Sequence, residues 1–247
     1  MKSKKMCEEL EDEKDRLNCL SITETPDGKI IDFYLYKEIE SLLPYIPFLR
    51  AVEQAKENDT ICLHINCYGG DLDVAFNIID VLNLCKAHIN ISVEGPCASA
   101  ASMILLTGDN WRLCPHSYVM VHAWTAWRYG KKNEIDAQHD FDKAFLEKKF
   151  REIYKDFMSE EELDRCLRGE DFYFDPNETS LRLQKYQADV IKKQKAINEA
   201  TAKYQGLIDK EIQEILDGKI SEEPPKKSTP RKKTIPSKKK TSPIKKK

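Results

Sequence analysis

The stretch that decides the fold reads Gly95-Pro96-Cys97-Ala98-Ser99-Ala100-Ala101-Ser102-Met103-Ile104-Leu105-Leu106-Thr107-Gly108. It follows Ile89-Asn90-Ile91-Ser92-Val93-Glu94, whose β-branched alternation predicts a strand. The small and apolar residues after Ser99 predict a buried helix. Ser99 then falls where a strand turns sharply into a helix. Gly95, Ala98, Ala100 and Ala101 leave room for a second backbone or a substrate to come close. The first N–H groups of a helix have no internal partner, and the helix dipole favours negative charge there. A serine nucleophile whose tetrahedral intermediate bears an oxyanion needs that setting. The plainer reading is a turn whose small residues serve packing alone.

Outward from this stretch, strands alternate with helices. Lys29–Tyr36 and Thr60–Asn66 read as strands, as do Trp111–Cys114 and Tyr118–His122. Between the first two, apolar residues at helical spacing (Ile39, Leu42, Leu43, Ile46, Leu49, Val52) predict a helix from Glu38 to Lys56, bent or broken by Pro44 and Pro47. The second strand ends at Asn66-Cys67-Tyr68-Gly69-Gly70-Asp71, where Asp71 fits the N-cap of a following helix. This alternation over residues 28–122 predicts a mainly parallel sheet with crossover helices, an α/β architecture. Further on, a charged helix with an apolar stripe spans Asn133 to Phe157. Ser159-Glu160-Glu161-Glu162 has capping-box form, Gly169 closes that short helix, and Phe172-Tyr173-Phe174 follows. From Thr179 to Leu216 a long helix has only a thin apolar stripe, so it needs a partner surface, another subunit or the body itself.

Composition bounds the rest. The chain has 247 residues, 40% hydrophobic and 33% charged, enough for one sizeable domain with extensions. Its eight cysteines are scattered singly with no C-x-x-C pair, which argues against a zinc site and for buried free thiols in a reducing compartment. No signal peptide is expected, since Met1-Lys2-Ser3-Lys4-Lys5 leads into acidic residues, and no apolar run reaches the roughly 20 residues of a membrane span. These features lead to the expectation of a soluble, cytoplasmic protein. The net charge of −2 hides an asymmetry: Pro224–Lys247 holds 11 Lys/Arg and no acid, leaving 29 basic against 42 acidic residues elsewhere. The expected division is a charged arm over 1–27, a catalytic domain over 28–178, a long helix over 179–218 and a disordered basic tail over 219–247. Such a tail contacts nucleic acid or an acidic partner, or is simply solvated.

Two glycine-bearing turns, Asn66–Asp71 and Gly95–Ser99, each join a strand to a helix, so both lie at the carboxyl edge of the sheet where sites form. One supplies backbone donors and the other the nucleophile. Among the histidines, His64 lies mid-strand, His88 and His116 in turns and His139 on the charged helix. His122 ends a strand that reaches the same edge as Ser99, which makes it the candidate general base. Asp171, Asp175 and Glu170 all qualify to orient the imidazole.

The set Ile65-Asn66-Cys67-Tyr68-Gly69-Gly70-Asp71, Gly95-Pro96-Cys97-Ala98-Ser99, Val119-Met120-Val121-His122 and Asp171-Phe172 resembles the ClpP peptidase family (peptidase S14). The Phe33-Tyr34-Leu35 start and the Glu57-Asn58-Asp59 lead-in look most like the ClpP-type proteases of large tailed phages. The resemblance covers residues 30–178. It implies the ClpP/crotonase-like spiral fold of repeated ββα units, with the 133–157 helix as a protruding handle. It implies a serine endopeptidase with Ser99 as nucleophile, His122 as base, Asp171 as orienting acid and the Gly70 and Ala100 N–H groups as oxyanion hole. It further implies polypeptide substrates, a homo-oligomeric ring, heptameric or doubly so, and an AAA+ unfoldase as partner. No cofactor or metal is implied. ATP would act only through that partner, since no G-x-x-x-x-G-K-[ST] occurs in this chain. A phage-encoded member would work in the host cytoplasm, degrading proteins or maturing a capsid.

The chain departs from the family pattern in places. Tyr68 replaces the usual proline of the first turn, Cys67 the serine before it, and Ala100 the methionine after the nucleophile. Residues 1–22 show no recognisable axial-loop sequence, and everything past residue 178 lies outside the pattern. Ser102 is a second serine in the same segment, about one helical turn further in. The rival readings are a non-catalytic ring or scaffold subunit, which would lack a triad residue, and an acyl-CoA enzyme of the crotonase fold, which would need no Ser/His/Asp set.

Overall fold

The computed structural model describes residues 19–126 and 129–217. Most of the expected N-terminal arm and the basic tail lie outside them. The chain divides into two units, one ending at Lys193 and one beginning at Gln194. The first unit contains the sheet and its helices.

Seven strands form one sheet among the described residues. They are β1 (Leu20–Glu24), β2 (Lys29–Leu35), β3 (Thr60–Cys67), β4 (His88–Ala98), β5 (Asn110–Leu113), β6 (Tyr118–Val121) and β7 (Phe172–Phe174). The order is β1-β2-β3-β4-β6-β7, with β5 also paired to β4. Strands β2 to β6 run parallel, while β1 and β7 join antiparallel at the edges. The parallel α/β architecture expected from the strand and helix alternation is therefore present. The helices are α1 (Ile46–Gln54), α2 (Leu72–Leu84), α3 (Ala100–Leu105), α4 (Lys132–Tyr154), α5 (Glu160–Leu167) and α6 (Pro176–Leu216). None of them is long and apolar enough to cross a membrane.

Alternation along the strands explains the core. Ile31, Phe33 and Leu35 of β2, Ile61, Leu63 and Ile65 of β3, and Ile89, Ile91 and Val93 of β4 are buried in a single cluster with Phe48, Leu49 and Val52 of α1 and Ile78, Ile79 and Leu82 of α2. Phe33 stacks on Phe48 with ring centroids 4.2 Å apart. The intervening residues put polar groups on the opposite face. There Glu94 accepts from Arg112 (2.8 Å) and Ser92 (3.0 Å) and contacts His64 (2.9 Å), and Tyr34 stacks on His64. Burial alone would raise the Glu94 carboxyl, but hydrogen bonds from His64, Tyr36 and Ser92 outweigh it and hold the group at about 2. Parallel sheets are commonly apolar on both faces, so this polar face is unusual.

Three local expectations change. First, the helix foreseen from Glu38 begins only at Ile46, after a 3-10 turn over Leu43–Tyr45. Pro44 and Pro47 sit in first turns, where a missing N–H costs nothing, and Ile39 is bridged to Gly70 instead. Second, residues 20–24 form a strand rather than part of an arm. Four of its five residues are exposed, so it shows no alternation to read. Third, β4 continues through Gly95 and Pro96 to Ala98, where a turn was expected. Its first half takes β5 (Asn90↔Asn110 to Val93↔Leu113) and its second half β6 (Pro96↔Tyr118 to Ala98↔Met120). The register with β3 shifts between Ile65 and Cys67, and such irregularities are where a strand tolerates Gly and Pro. A Cβ on Gly95 would lie 2.5 Å from the Asn66 side-chain oxygen, so glycine makes room for that side chain.

At the far end of the first unit, Arg182 of α6 donates to both Glu162 oxygens (2.6 and 3.0 Å) and to the Phe157 carbonyl (3.1 Å). Its guanidinium lies 4.3 Å from the centre of the Phe174 ring. This one side chain ties α5, α6 and edge strand β7 together. In the second unit α6 exposes Ile197, Tyr204, Ile208, Ile212 and Ile215, the stripe read from the sequence.

Candidate active site

Ser99 is the single non-glycine residue at positive φ among the described residues, with φ 54° and ψ −126°. Such a conformation costs on the order of 1–3 kcal/mol and persists where the surroundings over-determine it. The cause is visible in the chain. Strand β4 stays paired through Ala98, the Ser99 N–H donates to the Met120 carbonyl (2.9 Å), and α3 starts at Ala100. One residue must make the whole reversal from strand to helix.

That reversal brings the Ser99 Oγ to 2.7 Å from His122 Nε2. His122 directly follows β6, whose Val119 and Val121 are fully buried. The parallel β4–β6 register therefore brings both residues to the same end of the sheet. The glycine turn after β3 closes on them. A Cβ on Gly69 (φ +102°) would lie 2.7 Å from Ser99 Cβ and 2.9 Å from Ala100 N. The turn is locked by Ile39 N–H donating to the Gly69 carbonyl (2.7 Å) and Asp71 N–H donating to the Ile39 carbonyl (2.6 Å). The Cys67 thiol accepts from the Gly69 N–H (3.3 Å) and donates to the Lys37 carbonyl (3.1 Å). Burial raises its pKa, so it stays a neutral thiol well suited to both roles. Among the described residues, the N–H groups of Gly70 and Ala100 have no hydrogen-bond acceptor.

Ser102 is not at this site. Its side chain is buried, donating to the Ser99 carbonyl (2.7 Å) and bonded to the Tyr154 hydroxyl (2.6 Å). Of the other histidines, His64 lies on the polar face, His88 contacts Asp109 (3.2 Å), and His116 and His139 are exposed.

The acid side is looser. The ladder between β6 and β7 ends at Val121↔Phe172, which sets Asp171 at the rung of His122. Asp171 is exposed, and among the described residues no hydrogen bond or ion pair joins it to His122. Its charge is felt by Cys166, whose thiol is pushed up to about 11 by burial and then by Asp171 and Glu170. The two rival acids are engaged elsewhere. Glu170 is paired with Arg165 (2.7 Å), and Asp175 accepts from the Glu178 N–H (2.8 Å) at the start of α6. Among the described residues, no group of three or more His, Cys, Asp or Glu side chains is placed to hold a metal ion.

The fold and these contacts define a class: an α/β protein with a hydrogen-bonded serine–histidine pair at the carboxyl edge of a parallel sheet. Residues 30–215 match the Clp protease family, and the chain belongs to it. Among its relatives is the ATP-dependent Clp protease proteolytic subunit of Oltmannsiellopsis viridis. The two are 26% identical over 127 residues, covering 44% of this chain and 64% of the relative. Another is ATP-dependent Clp protease proteolytic subunit 1 of Shouchella clausii (strain KSM-K16), 29% identical over 98 residues, covering 39% of this chain and 49% of the relative. The chain thus matches less than two thirds of the length of either relative.

Proposed function

We propose that this protein is a ClpP-type serine endopeptidase. The observation behind the proposal is the 2.7 Å contact between Ser99 Oγ and His122 Nε2, made by the one strained non-glycine residue described. A base within hydrogen-bond reach is what an unactivated hydroxyl lacks. In this mechanism Ser99 Oγ attacks the scissile carbonyl carbon while its proton passes to His122 Nε2. The carbonyl oxygen becomes an oxyanion, met by the N–H groups of Gly70 and Ala100. Collapse breaks the C–N bond, and His122 returns the proton to the leaving amine. Water then attacks the acyl-enzyme with His122 again as base, releasing the acid and restoring Ser99. Asp171 orients the imidazole and balances its charge when the start of β7 closes on His122, as apo sites often tighten on substrate binding.

The substrates are polypeptides, and a homo-oligomeric ring encloses the sites. An ATP-driven unfoldase partner feeds that ring, a reading supported by the names of the relatives, ATP-dependent proteolytic subunits. Incubation with a fluorophosphonate probe followed by peptide mapping tests the core of this reading. The expected result is one adduct on Ser99, absent in Ser99→Ala and in His122→Ala. Labelling that survives Ser99→Ala, or no labelling of the assembled protein, would refute it and favour a non-catalytic subunit.

A further inference from the structure

Ser102 and Tyr154 are both polar and each only 1% exposed. The Ser102 Oγ lies 2.7 Å from the Ser99 carbonyl oxygen and 2.6 Å from the Tyr154 hydroxyl. The directions of these bonds follow from counting protons. A carbonyl only accepts, and a serine hydroxyl has a single proton to donate. The Ser102 proton therefore goes to Ser99, and the Tyr154 hydroxyl must donate to Ser102. The result is a directed chain from the last residue of α4, through the second residue beyond the start of α3, to the backbone of Ser99. The Ser102 N–H adds a second donor to the same carbonyl at 2.9 Å.

The atom at the end of this chain matters. The direction of the Ser99 carbonyl is set by ψ of Ser99, the residue already forced to positive φ. Its N–H is held by the Met120 carbonyl at 2.9 Å. The nucleophile's peptide groups are thus held from both sides, by β6 at the N–H and by Ser102 at the carbonyl. Tyr154 is buried among apolar residues of the core and tilts against Phe150 with ring centroids 4.7 Å apart. A hydroxyl in such a place costs stability unless it is bonded. A phenylalanine would fill the same volume without that cost.

We infer that Tyr154 and Ser102 are positioning residues of the hydrolytic site. They hold the Ser99 backbone in its strained conformation and so keep Oγ on His122 Nε2. Neither touches substrate. The inference rests on Ser99 being the nucleophile.

The test compares acylation of the full chain by a fluorophosphonate in wild type, Tyr154→Phe and the double variant Ser102→Ala/Tyr154→Phe, with Ser99→Ala as control. Thermal stability is followed in parallel. Removing both hydroxyls leaves no orphaned buried partner, so the double variant should fold with a Tm close to wild type. Its maximal acylation rate should fall about tenfold or more, because small displacements of a reacting atom have large effects on rate. The half-saturating probe concentration should stay unchanged, which separates positioning from a general loosening of the site. Tyr154→Phe alone keeps the Ser102 bond to Ser99 and should lose about two- to fivefold. A stable double variant that acylates within about twofold of wild type overturns the inference. If the double variant does not fold, Tyr154→Phe decides: an unchanged rate overturns the inference, and a slower rate at wild-type Tm upholds it. Labelling of Ser99→Ala would bring down the nucleophile assignment itself, a different and distinguishable failure.

Discussion

The serine side of the site and its carboxylate side are built in different ways. Ser99 lies between a central strand and a helix whose six residues are all buried. Its N–H, carbonyl and Oγ each have a partner within 2.9 Å. Asp171 precedes a three-residue strand at the edge of the sheet, is exposed and has no bond to His122. Ser99 and His122 are placed by the core. Asp171 is placed by an edge strand held through Phe174, and through Arg182 behind it. The Ser99–His122 contact thus rests on buried elements, and Asp171 on an exposed edge.

The largest expected effect breaks the serine side directly. Ser99→Ala should abolish fluorophosphonate labelling and lower peptide hydrolysis by at least about 10³-fold, read by turnover of a fluorogenic peptide. Next comes Asp171→Asn. If Asp171 closes on His122 with substrate bound, hydrolysis should fall by about 10²–10⁴-fold with Ser99 still present and intact. A loss below about threefold would mean that Ser99 and His122 work as a pair, and the two sides would differ in function as well as in construction.

Gly69→Ala probes the contact between the two turns. A methyl there would meet Ser99 Cβ at 2.7 Å from a backbone at φ +102°, so neither side can yield easily. Strain and overpacking together should cost about 2–4 kcal/mol in a denaturant titration and slow Ser99 labelling as well. The smallest effect concerns the carboxylate side. Arg182→Ala removes a part-buried charged hydrogen-bond donor and should cost about 1–3 kcal/mol at neutral pH. Hydrogen bonding from Arg182, followed by the Ser159 N–H, holds the Glu162 carboxyl at about 2, below its ordinary value of 4.5. A lowered carboxylate stabilises the folded state above its unfolded pKa, and that contribution fades as pH falls from about 4.5 towards 2. Acid unfolding curves should show this slope in the wild type and a flatter one in Arg182→Ala.

The parts of the site that could be read from residue order are those governed by local rules. Asp71 caps α2 by accepting from the Val74 N–H (3.0 Å), as its type and position predict. Ser159 and Glu162 form the reciprocal capping box. Strand β1 stayed hidden because an exposed edge strand leaves no alternation. The extension of β4 through Gly95-Pro96 stayed hidden because its pairing partners on β6 lie 22 residues further along (Pro96↔Tyr118). Helix spacing places Ser102 about one turn further in than Ser99. Only Tyr154, 52 residues away, shows that it faces the core.

Residue order alone determined the alternation of strands and helices, the two glycine-bearing turns and the serine, histidine and acid candidates, because periodicity, capping and turn chemistry act within a few residues. Tertiary structure alone decided the pairing of β4 with β6, the strained backbone at Ser99 and the unequal hold on Ser99 and Asp171. Those depend on contacts between distant segments, where ladder register and burial outweigh local preference.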